Sequence, residues 1–536
     1  MTLSLLSRYA VFAFCVLFTL ISAFFLRHEW LWPFTLITAA LSLVGLLDLA
    51  QTRRAVRRNY PVIGNIRYLF EAIRPEIRQY LLEGDGEQLP FSRAQRSLVY
   101  ARAKNEAGDK PFGTLLDVYQ DGFEFIGHSM RPAPLGNPDD FRVPIGGPQC
   151  RQPYSASLFN ISAMSFGSLS ANAIRALNKG ARLGNFAHDT GEGSISPYHR
   201  EHGGDLTWEL GSGYFGCRTA DGHFDPQRFA EQAASAQVRM IEIKLSQGAK
   251  PGHGGILPKH KVTPEISETR GVPMGEDCVS PSRHSAFDTP TGLLRFVAQL
   301  RELSGGKPVG FKFCLGHPWE FMGIAKAMLE TGILPDFIVV DGKEGGTGAA
   351  PLEFTDHIGV PMREGLLFVH NTLVGLNLRD KIRLGASGKI VSAFDIASVL
   401  AIGADWANSA RGFMFAIGCI QSQHCHTNKC PTGVATQDAL RQRALVVEDK
   451  ATRVYNFHRN TLHALAEMLA AAGLEHPSQL DAKHLVRRVS ATEIKLFSQE
   501  HVFLKPGELL DGPIESEFYQ RMWAMARSDS FDAQVA

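Results

Sequence analysis

An α/β barrel of eight strands behind an N-terminal membrane hairpin is the architecture this sequence predicts, and three observations predict it. From about residue 150, eight short β-type runs alternate with longer helical ones. Glycine-rich and polar motifs stand at the C-terminal ends of the last three runs, where a (β/α)8 barrel carries its functional residues. The first fifty residues, by contrast, hold two long apolar stretches. The expectation is a (β/α)8 TIM barrel with a transmembrane helical hairpin. The hairpin would span 1–52, a helical connector 53–149, the barrel 150–440 and a helical extension 441–536.

Composition sets the outer bounds. A chain of 536 residues exceeds one small core and suggests a large domain with appendages. A formal net charge of +1 leaves no electrostatic footprint for nucleic acid, so no such partner is expected. The 51 glycines cluster in short motifs, the pattern of backbone approaching a ligand.

The hairpin comes first in the chain. Tyr9 to Leu26 is uncharged, "RHE" follows, and Trp30 to Leu47 is uncharged again. Both stretches approach the spanning length of roughly 20 residues. A cleaved signal peptide would explain the first stretch but not the second. Trp30 and Trp32 suit a membrane interface, and Arg53, Arg54, Arg57 and Arg58 follow the second stretch. Positive charge marks the cytoplasmic side, although Arg27 in the turn opposes it. The expectation is therefore a chain anchored in the inner (cytoplasmic) membrane, in contact with lipid, its catalytic body facing the cytoplasm. Free thiols fit that reducing compartment.

In the connector, "YLFEAIRPEIRQYLLEG" has apolar residues at helical spacing. It suits either the membrane surface or packing on the body.

The strand runs of the barrel are 158–165, 183–189, 206–216, 239–245, 308–315, 336–342, 381–387 and 405–411. Helical stretches such as "SANAIRALNKGARL", "PTGLLRFVAQLREL", "FMGIAKAMLETG" and "AFDIASVLAIGA" lie between them. An open doubly wound sheet would want an early G-x-G-x-x-G turn, and none is present. "DGKEGGTGAAP" follows the sixth strand, "GASGKI" ends the seventh and "SARG" ends the eighth. Loops after the last two strands commonly hold phosphate, and glycine turns present backbone N–H groups to an anion. Lys244 and Lys312 fall inside strands. If they point inward, each must meet an anion or lose its proton. Facing outward, they are ordinary surface lysines.

The last motif is "GCIQSQHCHTNKCPTGVATQ", with Cys419, Cys425 and Cys430 within twelve residues. A disulfide would leave one thiol over and needs an oxidising compartment. Structural zinc usually takes four ligands in close Cys-x-x-Cys pairs. Iron–sulfur ligation tolerates this wider spacing. Three cysteines suit a three-iron cluster, or a four-iron cluster with its last ligand elsewhere.

Five stretches, in order, resemble the FMN-binding synthase domain of glutamate synthase: "ISAMSFGSLS", "DTGEGSIS", "IEIKLSQGAKPGHGG", "DGKEGGTGAAP" and the cysteine motif. The resemblance covers roughly residues 150 to 440, and the chain resembles short, membrane-anchored members of that family. It implies a [3Fe-4S] cluster on Cys419, Cys425 and Cys430. It also implies FMN against Ala163, Met164 and Ser165, with Lys312 near the flavin N1–C2 edge. Gly345, Gly346 and Thr347 would border the cofactor. Ser387, Gly388 and Lys389 would hold its phosphate, with Arg411 and Gly412 nearby. Glu192 and Lys244 take the catalytic positions, and Lys250 and Arg270 line an anionic substrate's pocket. An external donor, ferredoxin-like or other, would reduce the cluster, and the cluster would reduce FMN. Hydride would then pass to an imine of a 2-oxoacid and ammonia, 2-oxoglutarate giving glutamate.

Departures from the family pattern qualify the substrate. "KPGHGGILP" stands where "KPGEGGQLP" is usual, so His253 replaces a glutamate and Ile256 a glutamine of the oxoacid site. "DTGEG" replaces "NTGEG". No amidotransferase domain with a cysteine at position 2 is present, so no glutamine hydrolysis is expected. Two alternatives stay open: a flavin-dependent synthase or dehydrogenase of another amino acid or N-substituted amino acid, and a membrane-associated electron-transfer module.

Overall fold

The computed structural model describes residues 2–25, 29–87, 90–106 and 108–534. The chain divides into two compact units, Met1–Glu87 and Gln88–Ala536. The stretch 53–149 is therefore shared between them.

The first unit is built on α1 (Thr2–Phe24) and α2 (Trp32–Ala50). They pack side by side. The Thr19 hydroxyl donates to Thr38 Oγ1 at 2.9 Å, and a Cβ at Gly45 would overlap the Phe12 ring. By length and composition α2 can cross a membrane, whereas the apolar part of α1, Arg8–Phe24, is shorter. Arg27 lies outside the described residues. Phe14, Leu20, Leu36 and Leu46 are exposed, as are Trp30 and Trp32. A helix over Gly64–Ile77 and a π-helical turn to Leu82 follow.

The second unit begins with α3 (Arg93–Lys104), started by a capping box between Ser92 and Gln95. The strand pair Arg142–Ile145 and Tyr154–Ser157 comes next. Eight parallel strands then close into a barrel. They are β1 (Phe159–Ile161), β2 (His188–Asp189), β3 (Leu206–Leu210), β4 (Val238–Lys244), β5 (Val309–Phe313), β6 (Phe337–Asp341), β7 (Arg383–Ser387) and β8 (Trp406–Ser409). Each falls within a run read from the sequence, apart from the first residue of β4.

Between the strands lie α4 (Ala171–Gly184), α5 (Pro226–Ala233), α6 (Pro290–Leu303), α7 (Pro318–Thr331), α8 (Met362–Gly375) and α9 (Ala393–Ile402). Local chemistry starts them. Ser170, Asp225, Thr289 and Ser392 accept hydrogen bonds from backbone N–H groups of their own first turns, and proline opens α5, α6 and α7. The β2–β3 crossover keeps a single turn of helix, Pro197–Arg200. After β8 come α10 (Arg411–Ala416), the cysteine segment and α11 (Val447–Ala471). α11 packs on α4 and α9 and so closes the helical ring. The segment read as a helical extension thus supplies the barrel's last crossover helix. It also supplies two short strands, Leu485–Arg488 and Ile494–Leu496, that pair beside Glu124–Ile126.

Strand alternation decides what fills the barrel. One end is apolar, where Met240, Phe337, Val339 and Trp406 cluster with Val143, Ile145 and Ala156 from the preceding strand pair. Two residues further along β4, on the same face, stands Glu242, and two further again Lys244. The interior therefore changes from apolar to charged toward the C-terminal ends of the strands.

Candidate active site

The charged interior opens into a cleft of about 1050 Å³ at the C-terminal ends of the strands. Ala163, Met164, Ser165, Glu192, Lys244, Lys250, Ile256, Arg270, Gly346, Thr347, Arg411 and Cys425 all line it. A second cavity of about 530 Å³ holds Lys312, Gly345, Ser387, Gly388 and Lys389. The two share Ala163, Gln247, Gly346, Ala410 and Arg411, so they adjoin.

Cations dominate the cleft. Lys244 Nζ lies 3.1 Å from Glu192 Oε1, and Ser280 donates to Glu192 Oε2 at 3.2 Å. Burial alone would raise the Glu192 pKa, but Lys244, Arg270 and Lys250 overcome it and hold the carboxyl below its usual range. Gly191 makes this placement possible. It takes φ +64°, and a Cβ there would stand 2.6 Å from the Ser165 nitrogen. Arg270 is buried and donates to the Phe166 carbonyl at 2.9 Å and to Ser165 Oγ at 3.3 Å. Its Nε, also buried, has no partner among the described residues. Lys250 is buried too, and desolvation lowers its pKa. Ile256 stands at the rim, 51% exposed.

Beneath the cleft the balance reverses. Lys312 Nζ contacts Glu209, lies 3.1 Å from Glu242 Oε1 and 4.0 Å from Asp189 Oδ2. All four side chains are buried. Burial pushes the Asp189 and Glu242 pKa values up against the pull of Lys312, Glu242 to about 7. It raises Asp341 as well. For Lys312 burial works the other way, and the surrounding carboxylates prevail and raise its pKa.

The second cavity is a backbone cradle. Lys389 takes a left-handed φ of +52° beside Gly388, and its ammonium lies 5.9 Å from the Phe91 ring centroid. A Cβ at Gly346 would come within 2.7 Å of Arg411 Nε, and Arg411 donates to the Thr347 carbonyl at 2.6 Å. Ser387 Oγ is 3.3 Å from Ser162 Oγ. Hydroxyls, turn N–H groups and two cations together suit a phosphate.

The cysteine segment is braced by residues far away in the chain. Tyr100 donates to the Cys419 carbonyl at 2.7 Å, and Gln421 exchanges two 3.1 Å hydrogen bonds with the Phe91 backbone. Phe91 and Tyr100 both meet the Phe415 ring edge-on. Burial pushes the Cys419 thiol up to about 11. At Cys430 burial is outweighed by donors from Ala435, Thr432 and Val434, which lower its pKa.

The matched segment brackets the cleft and the cysteine motif, with Phe91 and Tyr100 outside it. Residues 144–475 match the family model described as the conserved region in glutamate synthase. The chain is also 38% identical over 486 residues to the glutamate synthase large subunit-like protein YerD of Bacillus subtilis (strain 168), covering 83% of this chain and 92% of that one. The chain belongs to the glutamate synthase family. The archaeal-type glutamate synthase (NADPH) of Thermotoga neapolitana is 36% identical over 314 residues, covering 58% of this chain and 59% of that one. The archaeal glutamate synthase (NADPH) of Methanocaldococcus jannaschii is 34% identical over 315 residues, covering 59% and 58%. The chain thus spans nearly all of YerD and less than two thirds of those two synthases.

Within this glutamate synthase-like oxidoreductase, four sequence-selected positions, His253, Gly412, Cys419 and Cys430, stand apart from both cavities. His253 turns away from the cleft. Its ring packs on Phe354 at 5.1 Å, and Nδ1 lies 2.8 Å from the Gly254 carbonyl. Gly412 is buried in α10 against Ser409 and Phe457. Cys419 lies behind α10, near the α3 side chains. Sequence reading passed over the floor carboxylates, Lys261 in the cleft wall and Gln247 between the cavities. A signal for one of them existed. Glu242 precedes Lys244 by two residues in a strand, so both share a face.

Proposed function

We propose that this member of the glutamate synthase family is a membrane-anchored flavin and iron–sulfur oxidoreductase that makes an amino acid from a 2-oxoacid and ammonia, with 2-oxoglutarate to glutamate as the first candidate reaction. One observation carries the reading: a cradle of glycine and cations adjoins a cation-lined cleft that has Cys425 in its wall.

The residues present fit both groups. The cradle suits the phosphate of FMN at Ser387, Gly388, Lys389 and Arg411, with Lys312 in the same cavity. Cys419, Cys425 and Cys430 suit a [3Fe-4S] cluster, because donors already converge on the Cys430 sulfur as they would on a ligating thiolate. FMN, when bound, supplies hydride transfer, and the cluster supplies one-electron steps from an external donor.

The chain's own residues do the rest. Arg270 and Lys250, both buried, bind substrate carboxylates, the first through a fork and the second as a point charge. Lys244 holds a proton against Glu192 Oε1 and is positioned to pass it to a substrate heteroatom. Glu192 stays ionised and keeps that ammonium in place. For anchoring, α2 has the length and composition of a spanning helix, and Arg53 to Arg58 favour a cytoplasmic body. Ile256, exposed at the cleft rim, supports a second reading, in which the substrate carries an apolar group and the product is another amino acid or an N-substituted one.

The test is anaerobic purification of the full chain, followed by ammonia-dependent turnover of 2-oxoglutarate with chemically reduced flavin. Stoichiometric flavin, bound iron and glutamate formation are expected, and Cys425→Ser should lose iron while its far-ultraviolet dichroism persists. Turnover of a different oxoacid alone would select the second reading. Reporter fusions at residue 28 and at the C-terminus should report opposite sides of the membrane.

A further inference from the structure

Lys261 has no part in the roles assigned above, and its surroundings are unusual for a lysine. It follows the short strand Ile256–Leu257, lines the cleft and is 3% exposed. Its ammonium donates to the Cys425 carbonyl at 2.9 Å and to the Ser168 carbonyl at 3.4 Å. Burial works against its charge and lowers its pKa. A buried ammonium held by neutral carbonyls is an expensive arrangement unless negative charge is brought to it.

The contacts around it separate charge from packing. The loop Ser165–Leu169, which forms part of the cleft wall, is fastened to the cysteine segment twice. Gln437 donates to the Gly167 and Leu169 carbonyls at 3.1 and 2.9 Å, without bringing a charge. Lys261 ties Ser168 to Cys425 and does bring one.

We propose that Lys261 is a positioning residue for the cluster on Cys419, Cys425 and Cys430: its ammonium fixes the Cys425 backbone against the cleft loop and raises the potential at which the cluster accepts an electron. This rests on the iron–sulfur reading. Reduction adds one negative charge to the cluster, and a fixed cation at short range in a poorly solvated site stabilises that extra charge. The same residue lines the cleft together with Cys425.

The experiment is an anaerobic redox titration of the full chain with dithionite and ferricyanide, following bleaching of the cluster's visible absorbance. Lys261→Gln should lower the reduced-to-oxidised ratio at a fixed potential by about tenfold, about 59 mV for a one-electron couple. Lys261→Arg should restore most of that shift. Gln437→Met, which loosens the same loops without removing charge, should leave the potential in place. An unmoved potential in an iron-loaded Lys261→Gln protein, or an equal fall in Gln437→Met, overturns the proposal alone. If Lys261→Gln cannot hold iron, side-by-side reconstitution decides: iron in the arginine variant supports the role of charge, and loss in both overturns it. An unaltered chain that binds no iron overturns this proposal together with the reading beneath it.

Discussion

The cleft and the floor beneath it are made from the same strands but have opposite charge imbalances. In the cleft, Lys244, Lys250 and Arg270 surround one carboxylate, Glu192. In the floor, Asp189, Glu209 and Glu242 surround one ammonium, that of Lys312. Lys244 and Glu242 are two residues apart on β4, and Lys312 sits beside Lys244 in register. One step of the pleat therefore separates a site that lacks anions from one that holds more carboxyl groups than it can ionise. The first will bind an anion from solution. The second will keep protons, as the raised Asp189 and Glu242 pKa values indicate.

The largest expected break in this comparison is Lys312→Met. It leaves the floor carboxylates buried without a cation and should cost about 3–5 kcal/mol in denaturant unfolding. The loss should be larger at alkaline than at acid pH, because protonated carboxyls do not need the ammonium. Next is Arg270→Met in the cleft. Losing a charged hydrogen-bonding partner costs about 1.5–3 kcal/mol, so calorimetry should find a dicarboxylate bound about ten- to a hundredfold more weakly.

The two regions also respond to pH with opposite signs. Burial raises Glu242 from 4.5 to about 7, so its contribution to stability is complete below the unfolded value and is lost as pH rises through about 7. Glu192 is held below 4.5 despite burial, so its contribution is present above that value and is lost as pH falls through the lower folded one. In thermal melts across pH, Glu242→Gln should flatten the alkaline limb and Glu192→Gln the acid limb. The smallest effect belongs to Ile256→Gln. The position is half exposed, so the added amide should improve 2-oxoglutarate binding by at most about tenfold, about 1.4 kcal/mol.

The barrel was legible because its strands are short runs bounded by glycine, proline and polar turns. Their functional loops could then be placed at the C-terminal ends. The floor was not legible, because which parity of a strand points inward is fixed only when the sheet closes. Glu209 in "LTWEL" reads equally well as an outward-facing residue. His253 was selected by motif position, but the turn that carries it sends the ring toward Phe354. Phe91 and Tyr100 reach the cysteine segment across more than three hundred residues, a contact that no local period announces. Lys261 sits in a single 3-10 turn, where periodicity gives no orientation at all.

The measurement that bears most directly on the cation-rich cleft is a calorimetric titration of the full chain with 2-oxoglutarate and, separately, with 2-oxobutyrate, which has only one carboxylate. The account predicts that 2-oxoglutarate binds at least about tenfold more tightly, about 1.4 kcal/mol, and that Lys250→Met abolishes the preference. Equal affinity for the two acids, or a preference untouched by Lys250→Met, would contradict it.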